Sequence, residues 1–186
     1  MAEPTWLDRV VTEVRLHAEA ALLRRLNAGS GFADARSASQ IYLRDEGALA
    51  RLAGGTLRPQ GTHKKAAEEL AKAIAAAGGH DTRATRLGTL SKRLAIDPIG
   101  GGLMVTALAY ALDLDMREIV HALAPRRKPA LYVETCVDIL GLPAPDMLAA
   151  IAPGSPLRRN RVVVTGGDGL EAEVSLHPAV LAWLLG

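Results

Sequence analysis

The chain has 186 residues, of which 49% are hydrophobic and only 3% aromatic, so it is long enough for one domain with a sizeable aliphatic core. Its formal net charge of +2 is far below the excess typical of dedicated nucleic-acid binders. The single cysteine, Cys136, excludes an internal disulfide and a cysteine-based zinc site. The N-terminus lacks a secretory signal pattern, and the apolar runs are too short to cross a bilayer, so we expect a cytoplasmic protein without a membrane partner.

Residues 1–80 are predicted to form a helical N-terminal region. Thr5 to Leu26 has an apolar stripe at helical spacing, which we expect to pack on its own domain, with a partner contact as the alternative. Asp45-Glu46 suits the first turn of a short helix over Gly47 to Leu52, between two polar loops. Lys64 to Ala77 is predicted to be a further helix with a narrow apolar face.

Residues 81–186 are predicted to form a second unit, which begins with a helix over Thr82 to Ile96. Three apolar-periodic segments then follow one another between Asp97 and Leu140 with almost no spacer. Each segment is too short to be stable alone, so the three must bury their apolar stripes against one another. A short helical turn over Asp146 to Ile151 comes next.

Two short β-type runs follow, Arg161 to Thr165 and Leu170 to Leu176, separated by Gly-Gly-Asp-Gly. This pattern predicts a β-hairpin, and His177-Pro178 then starts a final helix. Three helices followed by a hairpin suggest a winged helix, with the hairpin as the wing and the third helix as the recognition element. The predicted fold class is therefore mainly α, with a helical N-terminal extension and a winged-helix-like domain that carries a C-terminal β-hairpin wing.

A glycine triplet, Gly100-Gly101-Gly102, resembles a phosphate loop only superficially. A nucleotide-binding loop needs G-x-x-x-x-G-K-S/T, whereas Leu103-Met104 follows the triplet here. We instead expect the glycines to permit close helix packing or to loosen the helix start. No cofactor is therefore predicted on this chain.

The candidate catalytic and metal-binding side chains are also weak. Cys136 lies in the apolar stripe of the third segment, so we expect a buried small hydrophobe rather than a nucleophile working with His121 and Asp138. Three further histidines lack metal-ligand spacing: His63, His80 and His177. We predict no catalytic residue and no metal site.

Two basic clusters are the most suggestive feature of the sequence. One precedes the third helix and the other precedes the hairpin, so both can flank one face and contact a partner. Acidic residues on the same elements, among them Glu134, Asp138 and Glu171, favour a protein partner, and duplex DNA remains the alternative. The predicted partner-binding residues are Arg126, Arg127, Lys128, Arg158, Arg159 and Arg161.

Several stretches resemble, in order and spacing, one bacterial protein family. They are RLAIDPIGGGLMVTALAYALDLDMREIVHAL, RRKPALYVETCVDILG, SPLRRNRVVV and VSLHPAVLAWLLG, and IYLRDEGALARLAGG resembles an earlier segment. The family is that of bacterial AAA+ ATPases with a winged-helix-like region before the motor, including those encoded with extracellular contractile injection systems.

This resemblance implies that the chain is the N-terminal recognition or adaptor domain of an AAA+ ATPase, or a relative without the motor. It implies a protein partner, such as a contractile-injection component, and a hexamer formed through a downstream module. ATP and Mg²⁺ would bind only to that module, so the chain itself is expected not to be an enzyme.

Overall fold

The computed structural model describes residues 5–27, 64–78, 83–124 and 127–186, with the side chains of 26, 27 and 64–67 left undescribed. These residues form a mainly helical structure with a small antiparallel sheet near the C-terminus. The elements are α1 (Trp6–Asn27), α2 (Lys64–Ala77), α3 (Arg86–Leu94), α4 (Pro98–Leu112), α5 (Leu114–Leu123), α6 (Val133–Leu140), α7 (Ala144–Ala150), α8 (Pro156–Arg159), β1 (Val163–Gly166), a 3-10 turn (Gly169–Glu171), β2 (Glu173–Leu176) and α9 (Pro178–Leu185). The mainly α class with a C-terminal hairpin is thus confirmed.

Helix α4 lies at the centre of this structure because it is apolar on nearly every side. The carboxylate of Asp97 accepts a 2.6 Å hydrogen bond from the backbone N–H of Gly100, and Pro98 occupies the first turn, so the helix begins at a strong cap. Leu103 and Leu108 are fully buried. Helices α1, α5, α6 and α7 and strand β2 all pack against α4.

The corner between α4 and α5 is sharp, with a bend of 113°. Asp113 makes this corner, since its carboxylate accepts hydrogen bonds from the backbone N–H groups of Asp115 at 2.8 Å and Met116 at 3.2 Å. In the part of the chain that the structure describes, no single helix is long and apolar enough to cross a membrane, although the bent pair α4–α5 together reaches that length and hydropathy.

Helix α1 packs on α2, α4, α5 and α6, as expected for its apolar stripe. Ala18 and Leu22 are fully buried on the packed face. At its C-terminal end, the guanidinium of Arg25 pairs with the carboxylate of Asp138 and donates to the carbonyl of Leu123. The first helix therefore shares a core with helices more than a hundred residues away along the chain.

The sheet confirms the predicted hairpin, but its strands begin at Val163 and Glu173 rather than at Arg161 and Leu170, because Arg161 has a left-handed backbone conformation and Gly169–Glu171 form a 3-10 turn. β1 and β2 are antiparallel, with Val163 opposite Leu176 and Gly166 opposite Glu173. The link between them contains the 3-10 turn, and Gly167, at φ +86°, takes a left-handed conformation that few other residues adopt. On the far side of β2, Tyr132 forms an isolated antiparallel bridge with Glu173.

Several boundaries differ from the sequence-based predictions. α3 is shorter than the predicted Thr82 to Ile96, because Thr85 caps its start and Ala95 ends it in a left-handed conformation with φ +51°. α7 begins at Ala144, two residues before the predicted start, since Pro145 suits the first turn of a helix. The helix predicted over Gly47 to Leu52 lies outside the described residues.

Candidate functional site

The first basic cluster, residues 126–128, contains an arginine whose contacts hold different parts of the fold together. Arg127 lies 3.2 Å from the carboxylate of Glu134 on α6 and 3.0 Å from that of Glu171 in the 3-10 turn. Its guanidinium also lies 4.9 Å from the ring centroid of Tyr132, within the range of a cation–π contact. Its neighbour Lys128 is exposed. Arg127 thus joins the segment before α6 to the hairpin.

The second basic cluster, Arg158, Arg159 and Arg161, likewise contains one arginine that makes a structural contact and others that are exposed. Arg158 is partly buried and donates a hydrogen bond to the hydroxyl of Thr165 on β1, so it ties α8 to the hairpin. Arg159 and Arg161 are exposed. Arg161 has φ +53°, a backbone conformation that helps the chain to turn from α8 towards β1.

Both clusters therefore contact the hairpin close to its turn. Arg127 contacts Glu171 in the turn, and Arg158 contacts Thr165 near the end of β1. The predicted site residue Arg126 lies outside the described residues. Of the six predicted residues, the exposed ones that the structure describes are Lys128, Arg159 and Arg161.

Cys136 was predicted to be a core residue, and its position in the structure agrees with this prediction. Its side chain is fully buried, and this burial raises the pKa of the thiol well above its ordinary value. His121 is exposed, and the Nδ1 atom of His177 accepts a hydrogen bond from the backbone of Ala179 at the start of α9. Among the described residues, no group of three or more histidine, cysteine, aspartate or glutamate side chains is arranged so that it could hold a metal ion.

The glycine triplet lies in the first turns of α4. A Cβ atom at Gly100 would lie 3.0 Å from a methyl carbon of Ile96, and one at Gly102 would lie 3.3 Å from a methyl carbon of Leu140. A Cβ atom at Gly101 would have no neighbouring atom within 4 Å. Two of the three glycines therefore serve close packing, which was one of the two roles expected for them.

The sequence did not reveal an apolar groove of about 560 Å³ between the start of α1, the α4–α5 corner and the end of α9. The exposed fraction is 69% for Leu114, 49% for Leu185 and 36% for Leu112. We call this feature the corner groove, and its lining residues are Leu7, Asp8, Val11, Thr12, Leu112, Asp113, Leu114, Asp115 and Leu185.

Two of these leucines lie at the corner itself. Leu112 ends α4 and Leu114 begins α5, and the chain turns by 113° between them. Leu112 belongs to an apolar stripe in the sequence, but at the end of its helix it is exposed.

Helix α9 extends the apolar surface next to the groove. Every residue from Pro178 to Leu185 is apolar, yet only Leu184 is buried. Trp183 is 42% exposed, and the guanidinium of Arg86 lies 5.9 Å from its ring centroid. A helix that is hydrophobic all round is normally buried, so α9 offers an unusual amount of exposed apolar surface.

The fold and these surfaces define a mainly helical domain with a C-terminal hairpin and an exposed apolar groove. Comparison with protein-family models, with curated proteins and with solved structures finds no match to this chain.

Proposed function

We propose that this chain is a non-catalytic recognition domain that binds a protein partner through the corner groove. The observation that carries the proposal is the placement of exposed apolar side chains. Of the five large hydrophobic residues that are exposed in the described part of the chain, Leu112, Leu114 and Leu185 line this groove. A fourth, Trp183, lies on α9. Apolar residues grouped in this way mark interaction sites, whereas singly scattered ones need no explanation.

The order of elements supports a winged-helix-like arrangement within 81–186, against which α1 of the region 1–80 packs. Helices α6 and α7 are joined by three residues that begin with Gly141, at φ +63°, as in a helix-turn-helix. The hairpin follows, and Tyr132, just before α6, forms an isolated antiparallel bridge with Glu173 at the edge of the two-stranded sheet. In this arrangement α7, rather than α6, takes the position of the recognition helix.

The composition of α7 favours a protein partner over DNA. Its exposed residues are Pro145, Asp146 and Ala149, none of which carries a positive charge. Contacts to phosphates and base edges rely on arginine, lysine and amide side chains. The exposed cations Lys128, Arg159 and Arg161 keep DNA binding as the second candidate.

The family resemblance extends this proposal to an AAA+ ATPase in the cytoplasm. The domain would engage its partner, such as a contractile-injection component, and couple it to a hexameric motor that binds ATP and Mg²⁺. The test is to determine the sequence of the reading frame beyond codon 186. A downstream G-x-x-x-x-G-K-S/T pattern supports the motor, and a frame without it overturns the motor while leaving the docking proposal intact.

Photo-crosslinking in cells tests the docking proposal. A benzophenone amino acid replaces Leu114 in the groove and, as a matched control, Val164, which is 45% exposed on β1. We expect position 114 to crosslink to one defined protein, identified by mass spectrometry, and position 164 not to do so. Binding of that protein in purified form must then be weakened by Leu114→Ser. Equal crosslinking from both positions, or crosslinks only to a second copy of the chain, would overturn the proposal.

A salt titration with duplex DNA tests the second candidate. Contact with several phosphates makes the affinity fall steeply as the salt concentration rises. Such a fall, reduced by substitution of Arg159 and Arg161 together, would support DNA binding. No binding at low salt removes it.

A further inference from the structure

The charged side chains that line the corner groove are all acidic. They are Asp8, Asp113 and Asp115, and no lysine or arginine from the described part of the chain is among the lining residues. The guanidinium of Arg15 reaches this cluster from α1, at 3.4 Å from Asp113 and 3.2 Å from Asp115. One guanidinium against three carboxylates leaves a formal excess of two negative charges.

Two of these carboxylates are accessible to a ligand. The carboxylate of Asp8 is exposed and accepts hydrogen bonds of 2.9 and 2.7 Å from the backbone and hydroxyl of Thr5, which lower the pKa of Asp8. The side chain of Asp115 is 41% exposed and keeps acceptor sites beyond its contact with Arg15. Both side chains therefore present negative charge beside the exposed leucines.

The helix ends around the groove change this charge little. Helices α4 and α9 end there, at Leu112 and Leu185. The guanidinium of Arg117 donates to carbonyls in the last turn of α4, and that of Arg86 donates to the carbonyl of Trp183 in α9, which compensates the partial negative charge of these C-termini. Helices α1 and α5 begin there, but Asp8 already lies in the first turn of α1 and Asp113 caps α5. The groove thus combines an apolar floor with a negatively charged rim.

Part of the groove lining comes from one helix face. Leu7 and Val11 are four residues apart on α1 and so lie on one face of it, and they line the groove together with Leu112 and Leu114 from the corner. An amphipathic helix binds in such a groove through apolar residues at i, i+3, i+4 and i+7.

We propose that the corner groove receives an amphipathic helix of a partner protein whose apolar stripe is flanked by lysine or arginine residues. This inference rests on the proposed function and adds the chemistry of the partner. A second copy of the chain fits less well, because symmetrical pairing would bring the carboxylates of two grooves together, and like charges in contact repel.

Two synthetic helices test the charge preference with the full chain. Both are fluorescently labelled, about 18 residues long and carry the same leucine stripe, but one has lysine and the other glutamate beside it. In fluorescence anisotropy we expect the lysine helix to bind at least about tenfold more tightly than the glutamate helix, and salt to reduce the difference.

Matched variants locate the effect. Asp8→Asn and Asp115→Asn together should weaken binding of the lysine helix about tenfold and leave the glutamate helix unaffected or slightly favoured. Asp146→Asn removes an exposed carboxylate on α7 and should change neither affinity. Leu114→Ser should weaken both helices, since it removes apolar surface that the two share.

The outcomes separate this inference from the proposed function. Equal affinity for the two helices, or no binding of the lysine helix, overturns the inference, whereas the crosslinking from position 114 in cells judges the proposed function independently. Unchanged binding after Leu114→Ser overturns the placement in the groove. Sedimentation that shows a dimer, lost in Leu114→Ser, would show that a second copy is the occupant and would overturn the inference as well.

Discussion

The guanidinium of Arg127 lies 3.0 Å from the carboxylate of Glu171, 44 residues further along the chain. This contact joins the segment that precedes α6 to the turn of the hairpin. A residue predicted to contact a partner therefore also holds two parts of the domain together. Its neighbour Lys128, which is exposed, provides a comparison at the same place in the chain.

We expect Arg127→Ala to lower the free energy of unfolding by about 1 kcal/mol, because it removes two partly exposed ion pairs and a cation–π contact. Lys128→Ala should change it by less than about 0.5 kcal/mol, as is usual for an exposed surface residue. Urea denaturation followed by circular dichroism measures both values. Equal stability of the two variants would show that the Arg127 contacts contribute nothing to the fold.

Alanine substitutions at two positions of the glycine triplet should have opposite effects on stability. Gly101→Ala should raise the free energy of unfolding by about 0.5 to 1 kcal/mol, because alanine favours the helix and its Cβ meets open space. Gly100→Ala should be less stable than Gly101→Ala by at least about 1 kcal/mol, since its Cβ crowds Ile96 and Leu157. Thermal melting of the two variants beside the wild type measures the difference. The reverse order of stability would contradict the packing described for α4.

Cys136 should be inert in the folded protein. Its burial blocks access, and because burial raises the pKa of the thiol, the reactive thiolate is scarce until the pH is far above neutral. We expect a thiol reagent such as Ellman's reagent at pH 8 to label Cys136 only as fast as the protein unfolds, and at once in denaturant. Rapid labelling of the native protein would place this thiol at an open site.

Asp113 should be more important for stability than its neighbour Asp115. Asp113→Ala removes the cap of two backbone N–H groups of α5 together with a contact to Arg15, and we expect a loss of about 1 to 2 kcal/mol. Asp115→Ala removes only a partly exposed ion pair, worth less than about 1 kcal/mol. Chemical denaturation of both variants tests this order, which equal losses would refute.

Local signals in the sequence were sufficient for much of the fold. Asp97-Pro98 marks the start of α4 by its capping and proline chemistry, and Lys64 to Ala77 agrees with the prediction at both ends. The glycine-rich link between two β-type runs predicted the hairpin. These features depend on neighbouring residues, which a sequence displays directly.

The candidate site was less predictable because it depends on contacts between distant residues. Arg127 was predicted to contact a partner protein, but it pairs with Glu171, which is 44 residues away along the chain. Leu112 belongs to an apolar stripe in the sequence, but it lies at the end of α4 beside the corner and is exposed. The corner groove also needs Leu7 and Leu185, which lie at opposite ends of the sequence.

The central claim is that the corner groove is the surface that binds a protein partner. The most direct test is the affinity of the partner identified by crosslinking for the wild type, Leu114→Ser and the control Val164→Ser, measured by isothermal titration calorimetry. We predict at least about a fivefold weaker affinity for Leu114→Ser, a loss of about 1 kcal/mol, and no change for Val164→Ser. Unchanged affinity of Leu114→Ser would contradict the claim.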